Sequence, residues 1–129
     1  MERKNAQGIV EKLLSALEAR DLDTAESLMD PSATITFPGG KKFNSQREMA
    51  AAASGRYQWV KKKFEAVEAY SSDEGIIVYV RGALTGLNKH EIPFENIRFI
   101  DRFLVRDGLI VQQDVWNDLA ELGVLTRTV

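Results

Sequence analysis

Apolar residues first recur at helical spacing. Ile9, Val10, Leu13, Leu14 and Leu17 stand between charged positions and predict an amphipathic helix from about Ala6 to Arg20. Asp21-Leu22-Asp23 interrupts the pattern, and Asp23 with Glu26 has capping-box spacing. A short second helix then carries Leu22, Ala25, Leu28 and Met29 on one face, and Asp30-Pro31 stops it because proline cannot extend the hydrogen-bond ladder. Ala33 to Phe37 alternates as a short strand, turned by Pro38-Gly39-Gly40. Ser45 and Glu48 form a second capping box. The third helix it opens runs through Met49 and the alanines after it to about Tyr57, with Gly55 near its end.

From Trp59 the period changes to two. Phe64, Ala66, Glu68 and Tyr70 share one strand face, with Val67 and Ala69 on the other. A turn over Ser71 to Gly75 leads into a long strand from Ile76 to Leu87, in which Gly82 and Gly86 mark bulges or close backbone approaches. After a polar connection come two more strands, about Asn96 to Arg106 and Leu109 to Val115. Asp107-Gly108 between them is a two-residue hairpin signal. Asp118 to Leu125 predicts a short terminal helix. Helices first and a meander after them make an α+β domain. The expected form is one domain over 1–129, a cone-shaped, highly curved, mainly antiparallel β-sheet wrapped around three N-terminal helices. Its open mouth is where a ligand would sit.

Composition narrows the function. Among 129 residues, 44% are hydrophobic and 28% charged, the balance of a soluble globular chain. Seventeen basic residues against 19 acidic ones give a net charge of −2, which is not a nucleic-acid footprint. Lys61-Lys62-Lys63 is the one basic run, read as a solvated strand edge guarded against edge pairing. No cysteine is present, so disulfides, thiolate metal sites and cysteine nucleophiles are excluded. One histidine, His90, cannot build a multi-histidine metal site. No apolar run is long enough to span a membrane, and the charged start lacks the core of a signal peptide. The expectation is a cytoplasmic protein needing no metal and no cofactor.

Two acids stand where apolar residues would be expected, Asp101 and Asp114, one on each strand of the last hairpin. Asp101 interrupts the apolar face of Ile97, Phe99, Phe103 and Val105, a costly place for a charge without a partner. Either it shares a cavity with Asp114, or Arg98, Arg102 or Arg81 neutralises it. If the two acids share a cavity, they titrate as a coupled pair and one keeps its proton. Trp116, two residues beyond Asp114, points to the same side. Tyr57, Trp59, Phe64 and Phe99 would wall such a cavity if they face inward, and would otherwise be ordinary core. Arg81 reads as a surface residue or as a polar contact in the cavity. His90 reads as a loop residue or as a proton donor at the rim.

Phe103-Leu-Val-Arg-Asp-Gly-Leu-Ile-Val111, Asp114-Val-Trp-Asn-Asp118 and Leu122-Gly-Val-Leu125 together resemble the SnoaL-like group of the nuclear-transport-factor-2-like superfamily, over nearly the whole chain. That group holds polyketide cyclases, ketosteroid isomerases and limonene-type epoxide hydrolases, beside pockets of no known reaction. The resemblance implies an acid on the last long strand, matched by Asp114, and a general acid on the preceding strand, where Asp101 replaces the histidine of some cyclases. The hydrolase pattern of two acids about an arginine is incomplete, because Arg81-Gly-Ala83 lacks the second acid. The helix-borne tyrosine of the isomerases is also missing, since Leu17 stands there. The resemblance further implies pairing into a homodimer through the outer sheet face, where Ile77, Ile100, Leu104, Val111 and Val115 would otherwise be bare. Two functions follow. One is a cofactor-independent isomerase, cyclase or hydratase acting on a small apolar carbonyl or hydroxyl compound through Asp114 and Asp101. The other is a non-catalytic module of the same fold that binds a hydrophobic ligand or dimerises.

Overall fold

The computed structural model describes residues 2–125. Helix α1 (Arg3–Glu18) buries Ala6, Val10, Leu13, Leu14 and Ala16, the stripe expected of an amphipathic helix. It ends in a Schellman arrangement. The Arg20 amide donates to the Leu17 carbonyl and the Asp21 amide to the Ala16 carbonyl. Arg20 takes the left-handed conformation usual for glycine there, with φ of 58°. Helix α2 (Leu22–Ser27) is capped by Asp21, whose carboxylate accepts from the Thr24 amide at 3.2 Å. The capping box expected of Asp23 and Glu26 does not form. Asp23 instead pairs with the Arg47 guanidinium, and Glu26 accepts from the Arg47 amide, so both acids tie α2 to α3 (Gln46–Ser54). Ser45 caps α3 as the sequence indicates, accepting from the Glu48 amide at 3.1 Å.

Three boundaries differ from the sequence reading. The second helix stops before Met29, and strand β1 (Met29–Thr36) already contains Asp30-Pro31. The register to its neighbour shifts between Met29 and Thr34, so Pro31 falls where no regular ladder bond is required. Tyr57 is not helical. Gly55 closes α3, and Tyr57 opens strand β3 (Tyr57–Ser72). The segment after Asn117 forms turns rather than a terminal helix, though Leu119 and Val124 are buried in the core.

The remaining strands are β2 (Lys42–Phe43), β4 (Gly75–Asn88), β5 (Pro93–Arg106) and β6 (Leu109–Asn117). They form one open, curled six-stranded sheet in the order β2-β1-β6-β5-β4-β3. Only β1 and β6 run parallel. The β5–β6 turn has φ of 52° at Asp107 and 80° at Gly108, the two left-handed residues of a type I′ hairpin. The helices cover one face of the sheet, with α1 packed on β3, β4 and β6. Along β4 the buried positions are Ile76, Val78, Val80, Gly82, Leu84, Gly86 and Asn88, every second residue, as a half-buried strand requires.

Bulges bend this sheet. In β3 the pairing with β4 shifts between Tyr57 and Trp59 and again between Phe64 and Ala66. An extra residue reverses which side chains face the helices. The sequence reading placed Phe64 with Ala66, Glu68 and Tyr70. The bulge at Glu65 separates them, so Lys62 and Phe64 share the covered side with Val67 and Ala69. Two glycines of β4 lie beside these bulges. A Cβ on Gly82 would come within 1.9 Å of the Lys63 carbonyl oxygen, and one on Gly86 within 2.4 Å of that of Trp59.

Gly82→Ala is therefore expected to lose about 1–3 kcal/mol or more, the cost of forcing backbones apart. Gly8→Ala, on the exposed side of α1 with open space around it, is expected to gain about 0.5–1 kcal/mol. Urea melts of the two variants read the difference. Equal midpoints would mean that β3 yields to the added methyl at no cost.

Candidate functional site

Between the curled sheet and the helices lies a cavity of about 610 Å³, within the range of small-molecule sites. Leu14 and Leu17 of α1 and Met49 and Ala53 of α3 form one wall. Strand β3 supplies Tyr57, Trp59, Val60, Lys62 and Phe64, and β6 supplies Gln113, Val115 and Asn117. Glu18 and Arg20 stand at the rim, where Arg20 donates to the Gln58 carbonyl at 3.0 Å and links the end of α1 to the first β3 bulge. A wider depression of about 810 Å³ on the outer face, around Ser72–Gly75 and Arg106-Asp107, is lined by turn and strand-end groups and contains no buried acid.

The cavity wall is mainly apolar, with Ser54, Tyr57, Gln113 and Asn117 as neutral polar groups and Lys62 as the charged group inside the rim. Asp101, with 0% of its surface exposed, sits on the covered face of β5, paired across the sheet with Val80 and Val115. Its Oδ2 accepts from the Lys62 ammonium at 2.5 Å. Lys62 retains 26% side-chain exposure, and its Nζ also lies 4.9 Å from the Phe99 ring centre, at cation–π range. Asp101 Oδ1 has no hydrogen-bond partner. Nearby in the fold, Gln46 of α3 donates to Gln113 Oε1 at 2.8 Å and to the Met29 sulfur at 3.4 Å, and leaves its own Oε1 unpaired. Buried acceptors without donors are uncommon and mark places where a donor group would be held strongly. Burial in the wall pushes the Tyr57 phenol above its ordinary value, so it faces the cavity uncharged.

Asp101 and Asp114 do not share this cavity. The register sets Asp101 opposite Val115 and Arg102 opposite Asp114. Strand alternation then turns Gln113, Val115 and Asn117 inward and Asp114 and Trp116 outward. On the outer face Asp114 accepts from Gln112 at 3.2 Å and from Arg102 at 3.5 Å. Trp116 stands 49% exposed. Val115, read from the sequence as an outer-face residue, is one of the inward-facing ones. Arg81 also lies outside, exposed and 3.4 Å from Glu65. None of the three arginines considered for Asp101 reaches it, since Arg98 pairs with Asp118 and Arg102 with Asp114. Tyr57, Trp59 and Phe64 line the cavity, while Phe99 lies one layer behind, edge-on to Phe64 and beneath Lys62. His90 belongs to the β4–β5 turn, its amide donating to Asn88, and does not line the cavity.

Gln46 and Gln113 are not singled out by sequence, and the reading of Lys61-Lys62-Lys63 as a wholly solvated edge is corrected at Lys62, which faces the cavity. Lys62 had a readable signal. Val60-x-Lys62-x-Phe64 alternates, which sets the lysine on an apolar strand face and not in a uniform solvated run. Gln46 and Gln113 carry no such sign. Among the described residues, no three histidine, aspartate or glutamate side chains are grouped to hold a metal ion, and no helix is long and apolar enough to cross a membrane.

The SnoaL-like domain profile matches residues 10–113. No curated protein sequence matches the chain. Solved structures similar to it include an NTF2-like protein from Burkholderia pseudomallei K96243, with a TM-score of 0.80 and 18% identity over 98% of this chain and 100% of that one. A proposed polyketide cyclase from Xanthomonas campestris pv. campestris has a TM-score of 0.76 and 16% identity over 97% and 98%. An LEH-like epoxide hydrolase from M. tuberculosis has 0.75 and 19% over 97% and 92%. At such identities the likeness is one of fold.

Removing the ammonium from Asp101 tests the pair. Lys62→Met is expected to lose about 3–5 kcal/mol, because it strands a buried carboxylate. Arg102→Met, which breaks the longer and more solvated contact to Asp114, is expected to lose less than about 1 kcal/mol. Urea unfolding of both variants reads the contrast. A Lys62→Met protein as stable as Arg102→Met would mean that Asp101 does not depend on Lys62.

Proposed function

The chain belongs to the SnoaL-like domain family, and on that footing we propose that it takes one small, largely apolar molecule bearing a carbonyl or hydroxyl group into the cavity between helices and sheet. The observation that carries this reading is the joining of a mainly apolar, unfilled space of about 610 Å³ to one ion-paired group inside its rim, Lys62 held by Asp101. A domain that used this fold only for packing would fill the space with side chains. In the catalytic form of the reading, the reaction is an isomerisation, cyclisation or hydration without a cofactor. Lys62 polarises the ligand oxygen and so favours charge developing there. Asp101 holds the ammonium in place, which makes it a positioning residue and not the attacking base. Asp114 and Trp116 have no part in this scheme, since both face away.

A second reading, a ligand-binding module without turnover, is favoured by one observation. Asp101 is wholly buried behind Lys62, and among the described residues the one carboxylate lining the cavity is Glu18, at the rim. Calorimetric titration with a set of bicyclic ketones and alcohols, followed by product analysis, separates the two. Ala53→Trp, which fills the cavity from α3, should weaken binding at least about tenfold while the fold is kept. Asp114→Asn should bind as the unaltered chain does. Undiminished binding by Ala53→Trp would move the ligand elsewhere, and binding without any product would leave the module reading.

We also propose that two copies pair through the outer sheet face. Tyr70 and Trp116 are each 49% exposed there, beside half-buried Ile77, Ile100 and Val111. They stand on either side of the Arg102–Asp114 pair, and large apolar side chains left bare on a sheet face mark an interaction surface. Sedimentation equilibrium is expected to give twice the chain mass of 14.5 kDa, and Trp116→Glu should shift it to the single-chain mass. A single-chain mass for the unaltered protein at micromolar concentration would refute the pairing.

A further inference from the structure

We infer that the cavity selects molecules whose oxygen carries negative charge when bound (a carboxylate, a phenolate or an enolate), and that Lys62 is the residue that selects them. This rests on the cavity being a ligand site. It goes further in fixing the sign of the ligand's polar group.

The geometry around Nζ is the ground for it. An ammonium has three N–H groups. One is taken by Asp101 Oδ2 at 2.5 Å, and the Phe99 ring covers another side at 4.9 Å. Lys62 nevertheless lines the cavity, and a quarter of its side chain remains accessible. Donor capacity therefore remains on the side where a ligand would lie. Asp101 has no exposed surface, so a molecule in the cavity meets the cation first and the carboxylate only behind it. Because Coulomb energy falls with distance, the nearer charge decides which ligand sign is favoured. Among the described residues, the other charged groups lining the space are Glu18 and Arg20, both at the rim and opposite in sign.

Packing does not explain the pair. An Asp–Lys pair in an apolar interior is commonly no better for stability than two well-packed apolar residues. The same β5 face is otherwise filled by Ile97, Phe99, Phe103 and Val105. Holding a lysine head against a cavity wall by a buried carboxylate gives a fixed, partly desolvated ammonium whose remaining N–H groups can make charge-assisted hydrogen bonds to an anion. A weakly acidic ligand, such as a phenol or a 1,3-dicarbonyl compound, would also ionise more readily beside it.

The test compares 2-naphthoate with its neutral isostere 2-naphthamide by isothermal titration calorimetry. The acid is expected to bind at least about tenfold more tightly, as one charge-assisted hydrogen bond provides. Lys62→Arg should keep the preference. The double variant Lys62→Met/Asp101→Asn, which removes both charges together, should lose the preference while still binding the amide. If that variant does not fold, the unaltered chain and Lys62→Arg still decide. An amide bound as tightly as the acid by the unaltered chain overturns the inference and leaves the cavity reading standing. Failure of both probes to bind, with the neutral ketones and alcohols failing too, overturns the cavity reading and this inference with it.

Discussion

An aspartate without solvent, set between Phe99 and Phe103 on the covered face of a central strand, has to be neutralised from its own side of the sheet. The arginines adjacent to it in sequence cannot do this, because odd and even positions of a strand face opposite ways. The counter-charge has to come from another strand, and it comes from Lys62, on the edge strand two places away in the sheet order. Much else follows from that contact. Lys62 must face the helices, so β3 must reach position 62 in inward phase. The bulge at Glu65 provides that phase, and Gly82 gives the bulge room. The polar point of the cavity is thus fixed by sheet geometry at three sites that do not touch a ligand.

Much of the fold was legible because local signals agreed with the global arrangement. The α1 stripe, the Ser45 cap and the Asp107-Gly108 turn each state their structure within a few residues, and none depends on distant packing. The family pattern in the last third of the chain added the architecture. Where side-chain direction differs from the sequence reading, strand phase is the difficulty. Side-chain phase along a long strand is counted from local alternation, and a bulge resets the count without leaving a reliable mark. Phe64 was therefore grouped with Ala66. Asp114 was assigned inward from its place in the family pattern, although its neighbours Gln113 and Val115 hold the inward positions. Lys62 was taken for part of a solvated run because its two lysine neighbours are. Alternation with Val60 and Phe64 told against that, but composition outweighed it. Gln46 and Gln113 could not have been found, since their pairing spans 67 positions of sequence and shows only when α3 lies across β6.

Arg20 shows the same division between local preference and distant use. Its backbone conformation is one that glycine adopts freely and that other residues adopt at a cost of roughly 1–2 kcal/mol. An arginine there gives up some stability of the α1 terminus and gains a guanidinium that reaches the Gln58 carbonyl at the cavity rim. The residue best suited to ending the helix would leave the rim without that link.

The bulge at Glu65 has a further implication for how such a cavity changes over descent. The far end of β3 is pinned by its turn into β4, where Ser72 pairs with Gly75. Deleting Glu65 itself would only close the bulge and keep the Phe64–Gly82 and Ala66–Arg81 pairs, whereas deleting one residue between 66 and 70, with the bulge kept opposite Gly82, would leave that end fixed and rotate the strand before it by half a repeat. Lys61 and Lys63 would then point inward, Lys62 would point out, and Phe64 would fall in the bulge. A substitution alters one wall residue at a time, whereas a loss of three nucleotides here would exchange one lining for another, with two cations in place of one and no aromatic ring from position 64. In this fold, ligand preference can therefore shift by reading phase as well as by residue identity, and related chains differing by a single gap in this strand would be expected to hold unlike molecules within the same frame.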